Sequence, residues 1–236
     1  MVLMDGPAVI FDCDGVLADT ESVVDRVAIP RLATFGLHYT VEGFRARFLG
    51  FGDDLFERAL DADHQAQFDA PLPPGAFTDM AAEITRAILA DVVPVEGAVE
   101  LALRIAGPAA VASSSPREAL VGKLKSLGLT QRFGPHVFSG DDVATSKPAP
   151  DLFLAAARSL GVAPAHCRVI EDSPNGVRAA VAAGMPVVGF TGVAHEPLEH
   201  ARRLLDAGAA AVCRDMREAA AWFAAQGVPL APAQRR

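Results

Sequence analysis

The sequence predicts an α/β fold: a doubly wound parallel sheet interrupted once by an all-helical segment. Three observations carry this expectation. The run Val9-Ile10-Phe11 has the unbroken apolar character of a buried parallel strand. Residues 20–95 hold helical spacing and no clear strand. After Gly97 one rhythm recurs: strand, polar turn, proline, helix, glycine. That rhythm is a run of βαβ units.

In the helical segment, residues 21–35 read as one amphipathic helix kinked at Pro30 and ended by Gly36. Residues 40–49 and 53–60 read as two more. The stretch A-P-L-P-P-G at 70–75 is a loop, and residues 77–90 resume helical spacing. In the repeating part, strands are expected at 109–112, 136–139, 167–170, 187–190 and 210–213. Ser115-Pro116-Arg117-Glu118 has the form of a capping box, with proline at the first helical position. That helix ends at Gly128. Later helices open at Pro150, Pro174 and Pro197 and end at Gly161, Gly184 and Gly208, and residues 216–225 close the series. The core is therefore residues 1–19 and 96–236, and the inserted helical domain is residues 20–95. In open α/β sheets ligands bind at the carboxyl ends of the strands. The insertion leaves from that edge, where it can serve as a lid.

The 236 residues are 51% hydrophobic and 21% charged, the composition of a globular chain with a sizeable core. A net charge of -8 and a pI of about 5.2 argue against nucleic acid and anionic membranes as partners. The N-terminus lacks a positive region, and Asp5-Gly6-Pro7 breaks its apolar run, so no signal peptide is expected. No apolar stretch is long enough to span a bilayer. Cys13, Cys167 and Cys213 read as buried thiols in a reducing cytoplasm. A monomer or weak dimer is expected.

The chemistry-bearing residues follow the strands. Asp12 and Asp14, with Gly15 next, come directly after the run at 9–11. Two carboxylates there repel and desolvate each other unless a cation sits between them or one does chemistry. A calcium loop would place its glycine two positions later, after a helix. Ser113 follows the second core strand and is not explained by helix capping, whereas Ser115 is; a hydroxyl with backbone N–H groups at a helix start makes an anion site. Lys147 lies in S-K-P-A-P-D, and the chain has only three lysines. The other two, Lys123 and Lys125, sit together on a helix. Glu171 and Asp172 end the strand C-R-V-I. This second acidic pair also needs a cation, for which Mg2+ is the natural choice.

These stretches resemble, in order, the four motifs of the haloacid dehalogenase-like phosphohydrolases: D-C-D-G-V, V-A-S-S-S-P, S-K-P and I-E-D-S-P-N-G. That family has a Rossmann-like core with a helical cap inserted just after the first motif. The resemblance implies an Mg2+-dependent phosphatase acting on a small phosphorylated metabolite through an aspartyl-phosphate. It makes Asp12 the nucleophile and Asp14 the general acid/base, with Ser113 and Lys147 on the phosphoryl oxygens. Mg2+ would be held by Asp12, the Asp14 backbone carbonyl, Glu171 and Asp172. Gly15, Ser114, Ser115 and Asn175, with Arg47 from the cap, are the expected substrate contacts.

Four other chemistries share parts of this pattern. Receiver domains place their phospho-acceptor on a later strand and carry no large insertion. Dehalogenases lack the second aspartate of the first motif, and phosphonatases need a cap lysine that is missing here. A sugar-phosphate mutase resembling β-phosphoglucomutase is the closer rival. By counting from Asp12, the hinge histidine of that group falls on Val24 and its cap arginine on Asp53, and no lysine occurs before Lys123. Water is therefore the expected acceptor. Phe44, Arg45, Arg47, Phe48 and Phe51, near Gly50 and Gly52, are where the cap could choose a substrate.

Overall fold

Side chains along a strand alternate between faces, and the first strand shows how the core is built on that rule. Val9 and Phe11 enter one apolar cluster, while Ala8 and Ile10 enter another. All four are fully buried, as the continuous apolar run requires. The computed structural model describes residues 6–48, 53–194 and 196–232, with the side chains of Asp53 and Asp54 left out. Its strands are β1 (Ala8–Phe11), β2 (Ala109–Ser113), β3 (Val137–Ser139), β4 (Cys167–Glu171), β5 (Val187–Phe190) and β6 (Ala211–Cys213). They form one sheet in the order β3-β2-β1-β4-β5-β6, every pair parallel. The order reverses between β1 and β4, so the crevice at their carboxyl ends is the expected ligand site.

The helices are α1 (Glu21–Ala33), α2 (Val41–Phe48), α3 (Asp53–Phe68), α4 (Ala76–Ala90), α5 (Ala98–Arg104), α6 (Arg117–Ser126), α7 (Thr130–Phe133), α8 (Asp151–Leu160), α9 (Pro174–Ala182), α10 (Pro197–Asp206) and α11 (Met216–Ala225). Leu101, Leu120, Leu124, Phe133 and Phe223 bring α5, α6, α7 and α11 against the Phe11 face. Phe153, Val177 and Leu204 bring α8, α9 and α10 against the Ile10 face. Phe11 meets Phe133 edge-on with ring centroids 5.8 Å apart. Each such buried side chain contributes about 1.5–3 kcal/mol.

The chain divides into two compact units, residues 1–19 with 92–236, and residues 20–91. The return falls at Val92 because the outgoing and returning segments pair with each other inside the first unit. Asp19 N–H donates to Val93 O at 2.8 Å, and Val95 N–H to Leu17 O at 3.1 Å. The second unit holds α1 to α4 around its own core of Leu32, Phe44, Phe48, Leu60 and Met80. Phe44 and Phe48 are 3% and 5% exposed there. Rings of Tyr39, Phe44, Phe48, Phe56 and Phe77 contact one another in sequence at 5.0–5.9 Å.

Pro30 lies inside α1 as expected, but several other expectations change in detail. Helix α1 ends at Ala33, and α3 runs to Phe68 rather than 60. The short helices α5 and α7 carry too few turns to show a periodicity. The capping box at Ser115 does not form: Pro116 takes the cap position with no side-chain bond, and α6 starts at Arg117. A distant carboxylate caps it instead, Arg117 N–H donating to Asp141 Oδ2 at 2.7 Å. Residues 49–52, with the candidate cap residue Phe51 and its neighbours Gly50 and Gly52, lie outside the described residues.

Candidate active site

The turn after β1 is built so that carboxylates can crowd together. Asp12 N–H donates to Ile170 O at 3.0 Å, which continues the sheet ladder one residue past the strand. The chain then folds back, Leu17 and Ala18 N–H donating to Cys13 O at 2.8 and 2.9 Å. Gly15 takes φ 76°, and a Cβ there would lie 1.9 Å from Asp172 Oδ2. Glycine is required twice over, for the left-handed backbone and for room for Asp172. Gly176, in ordinary helical backbone, makes room for Glu171, whose Oε1 would meet a Cβ at 1.7 Å.

Lys147 ties the β1 and β4 ends together. Its ammonium donates to Asp12 Oδ1 at 2.6 Å, to Glu171 Oε1 at 2.6 Å and to Ala112 O at 2.9 Å. All three side chains are at least nine-tenths buried. Burial alone would lower the lysine pKa, but Asp12 and then Glu171 hold it above the ordinary value. Asp12 is pushed up to about 7, first by burial; Lys147 opposes this, and Glu171 and Asp14 add to it. Glu171 is fixed on its other side by Ser173, whose N–H and Oγ–H reach Oε2 at 2.8 and 2.9 Å.

Asp14 faces a different set of groups. Ser115 Oγ–H donates to its Oδ2 at 2.6 Å, and Ser113 Oγ–H reaches the same oxygen at 3.3 Å. Lys123 Nζ lies 2.5 Å from Asp14 Oδ1 and donates to Ser115 Oγ at 2.9 Å. The Cys13 thiol is buried, and burial first, then Asp14, raises its pKa well above the usual thiol value. It is no nucleophile at neutral pH.

A divalent metal fits this donor set. Asp12, Glu171 and Asp172 each offer an oxygen, all within 4.8 Å of one another. Three crowded carboxylates with one lysine among them leave a local negative excess that a hard cation would satisfy.

The other expected contacts are spread out. Ser114 Oγ accepts from Ser146 Oγ–H at 3.0 Å, and Asn175 Oδ1 accepts from Arg178 at 3.0 Å; both residues are exposed. Arg47 lies in the helical unit, its guanidinium on Asp63 at 2.9 and 3.3 Å. Two residues near the acids were not singled out from sequence. Lys123 was read as one of a helical lysine pair. Yet Leu120, Leu124 and Leu127 lie three before, one after and four after it, which places it on the apolar stripe of α6. That spacing was the available signal. His200 Nε2–H donates to the Asp172 carbonyl at 2.5 Å, and burial pulls its pKa down. No sequence signal near His200 marks that contact.

A doubly wound sheet with acids, lysines and serines at its carboxyl edge, three of the acids able to hold a cation, fits a hydrolase of the phosphoryl-transfer type. The chain belongs to the haloacid dehalogenase-like hydrolases, whose family model matches residues 7–184. It is 34% identical over 181 residues to the fructose-1-phosphate phosphatase YqaB of Escherichia coli (strain K12), covering 76% of this chain and 93% of that protein. It is 33% identical over 213 residues to the Arabidopsis thaliana protein SUPPRESSOR OF QUENCHING 1, chloroplastic, covering 89% of this chain but only 20% of that much longer protein. A crystal structure of a HAD family hydrolase from Deinococcus radiodurans R1, with bound phosphate and sodium, superposes with a TM-score of 0.82 at 33% identity. That match covers 95% of this chain and 97% of that one. Among the described residues no helix is long and apolar enough to cross a membrane.

Proposed function

We propose that this chain hydrolyses the phosphate monoester of a small phosphorylated sugar, by way of a phosphoryl group carried on Asp12. The observation that carries the reading is the separation of the two loop aspartates. Asp12 is buried against Lys147, and Asp14 is held apart by serines and a second lysine. One carboxylate is thereby suited to attack and the other to proton transfer.

In the first step an Asp12 oxygen bonds to phosphorus as the bond from phosphorus to the sugar oxygen breaks. Asp14 gives its proton to that departing oxygen. In the second step water attacks phosphorus, Asp14 takes a proton from it, and the Asp12–phosphoryl bond breaks to release inorganic phosphate. Lys147 and Ser113 bind the phosphoryl oxygens through both steps. Mg2+, held by Asp12, Glu171, Asp172 and the Asp14 backbone carbonyl, would supply charge neutralisation at the phosphoryl group. Relatives described as sugar-phosphate phosphatases support the substrate class. Three free, buried cysteines suit a reducing compartment such as the cytoplasm.

The test is phosphate release from a series of phosphorylated sugars with Mg2+ and with excess chelator. Turnover should require the metal, and full activity in chelator would defeat the reading. Asp12→Asn should lower kcat at least ~10³-fold, as expected when an attacking group is lost. One arm supplies β-glucose 1-phosphate with a catalytic amount of the 1,6-bisphosphate. Inorganic phosphate should outrun glucose 6-phosphate, and the reverse would mark a mutase.

A further inference from the structure

Lys123 occupies a position on α6 that its buried neighbours make suitable for a hydrophobic residue. It stands on the buried stripe of α6 beside Leu120 and Leu124, and its side chain is 4% exposed. Withdrawing an ammonium from water is costly, and buried ion pairs are often no more stable than the apolar side chains that could replace them. The chain otherwise uses arginine for most of its positive charge; two of its three lysines, Lys123 and Lys147, are spent in this site.

The contacts close a ring. Lys123 Nζ bonds Asp14 Oδ1 and Ser115 Oγ, and Ser115 Oγ–H bonds Asp14 Oδ2. Both oxygens of Asp14 are therefore gripped, by groups that start from different elements. The aspartate side chain has only two torsions, and a grip on both oxygens fixes both. Proton transfer to a leaving oxygen depends on such placement, because a misplaced acid forfeits much of its effect.

We infer that Lys123, bridged through Ser115, is a positioning residue for Asp14, so that each aspartate of the loop has its own lysine. This rests on Asp14 being the general acid/base. It assigns Ser115 to the ring rather than to capping or to the substrate.

The experiment compares Lys123→Met, Asp14→Asn and the double variant, each checked for folding by circular dichroism and Tm. Steady-state turnover is measured on a sugar phosphate. The burst of nitrophenolate from 4-nitrophenyl phosphate is also followed, since that leaving group needs little protonation. Lys123→Met should lower kcat on the sugar phosphate about 10–100-fold with KM within about 2-fold, a share of what a general acid supplies. Its burst should fall much less. In the Asp14→Asn background the same change should cost nothing more, because residues acting through one another are not additive.

A folded Lys123→Met with normal kcat would overturn the inference. So would an equal further loss in the Asp14→Asn background, or a rise in KM with kcat unchanged. If Asp14→Asn itself turned over normally, the acid/base reading would fail first; if only Asp14→Asn were impaired, the inference alone would fail. Should Lys123→Met not fold, Ser115→Ala opens the ring from the other side. It should lower kcat about 3–10-fold, again with no added loss beside Asp14→Asn. Normal turnover in Ser115→Ala, or an additive loss, would then overturn the inference.

Discussion

The two units pair opposite charges in different ways. In the core unit Lys147 and Lys123 are 5% and 4% exposed, and each meets carboxylates at 2.5–2.6 Å. In the helical unit the corresponding cations are arginines. Arg45 lies on Asp25 with 17% and 9% of the side chains exposed, and Arg47 on Asp63 with 45% and 26%. Arginine presents a flat fork that suits a partner fixed in one geometry. An ammonium is a compact charge with three rotatable donors, and Lys147 shares its donors among Asp12, Glu171 and a backbone carbonyl. A carboxylate that is to carry a phosphoryl group, the role proposed for Asp12, would need the second kind of partner, which can follow it. Arg45 and Arg47 tie α2 to α1 and α3, whereas Lys147 and Lys123 hold the carboxylates proposed to react.

The largest effect should come from Lys147→Met. Asp12 and Glu171 would lose their shared cation while still buried, and breaking a buried pair costs about 3–5 kcal/mol. We expect kcat to fall ~10³-fold or more, as for the loss of a principal electrostatic group. Tm should fall further in chelator than in Mg2+, because a divalent ion replaces part of the missing charge. Equal Tm values for variant and parent in chelator would show that the lysine does not hold these carboxylates together.

Asp12, Lys147 and the Glu171-Asp172 pair were legible because their positions break a local rule. Carboxylates end an apolar strand, and a rare lysine stands beside prolines. Lys123 broke no rule visible at close range. A lysine two residues from another on a helix is ordinary, and its burial follows only once Leu120 and Leu124 turn that face of α6 to the sheet. Ser115 was misread for the opposite reason: S-P-R-E satisfies a local motif, yet the capping carboxylate comes from Asp141 on another loop. The parallel, doubly wound sheet was implied by the repeated βαβ pattern; the strand order was not, because it is set by which strands pair in space rather than by any local spacing. The length of α3 was not, because D-A-D-H-Q-A-Q-F offers little apolar spacing to read.

An intermediate effect is expected at Arg45. Among the described residues Asp25 accepts its bonds on Oδ2, and its buried Oδ1 has no partner. Arg45→Met would strand this carboxylate and should lower stability by about 3 kcal/mol, the low end for a buried pair because Arg45 is partly exposed. Adding Asp25→Leu should recover most of the loss, as an apolar pair often equals a buried ionic one. Denaturant midpoints of the three variants decide it. No recovery in the double variant would mean the pair contributes more than neutrality.

The smallest effect should be at Arg47. Its pair with Asp63 is partly solvated, so Arg47→Ala should cost about 0.2–1 kcal/mol. The sign of the pH dependence follows from Asp63. Burial raises the carboxyl pKa, but the bonds from Arg47 and Tyr39 outweigh it and leave the folded value below the ordinary one. A depressed pKa contributes stability that is complete above the unfolded value of about 3.9 and lost as pH falls through the folded one. The Tm difference between Arg47→Ala and the parent should thus be steady near neutral pH and shrink only below about pH 4. KM supplies the other readout. The Asp63 pair occupies Nε and one terminal nitrogen, and the guanidinium also lies over the Phe48 ring at 5.6 Å. We expect KM for the best sugar phosphate to move less than about 3-fold, as for a guanidinium already committed to Asp63. A rise of about 10-fold with normal Tm would mean that Arg47 leaves Asp63 for the substrate, and the division between structural arginines and reacting lysines would no longer hold.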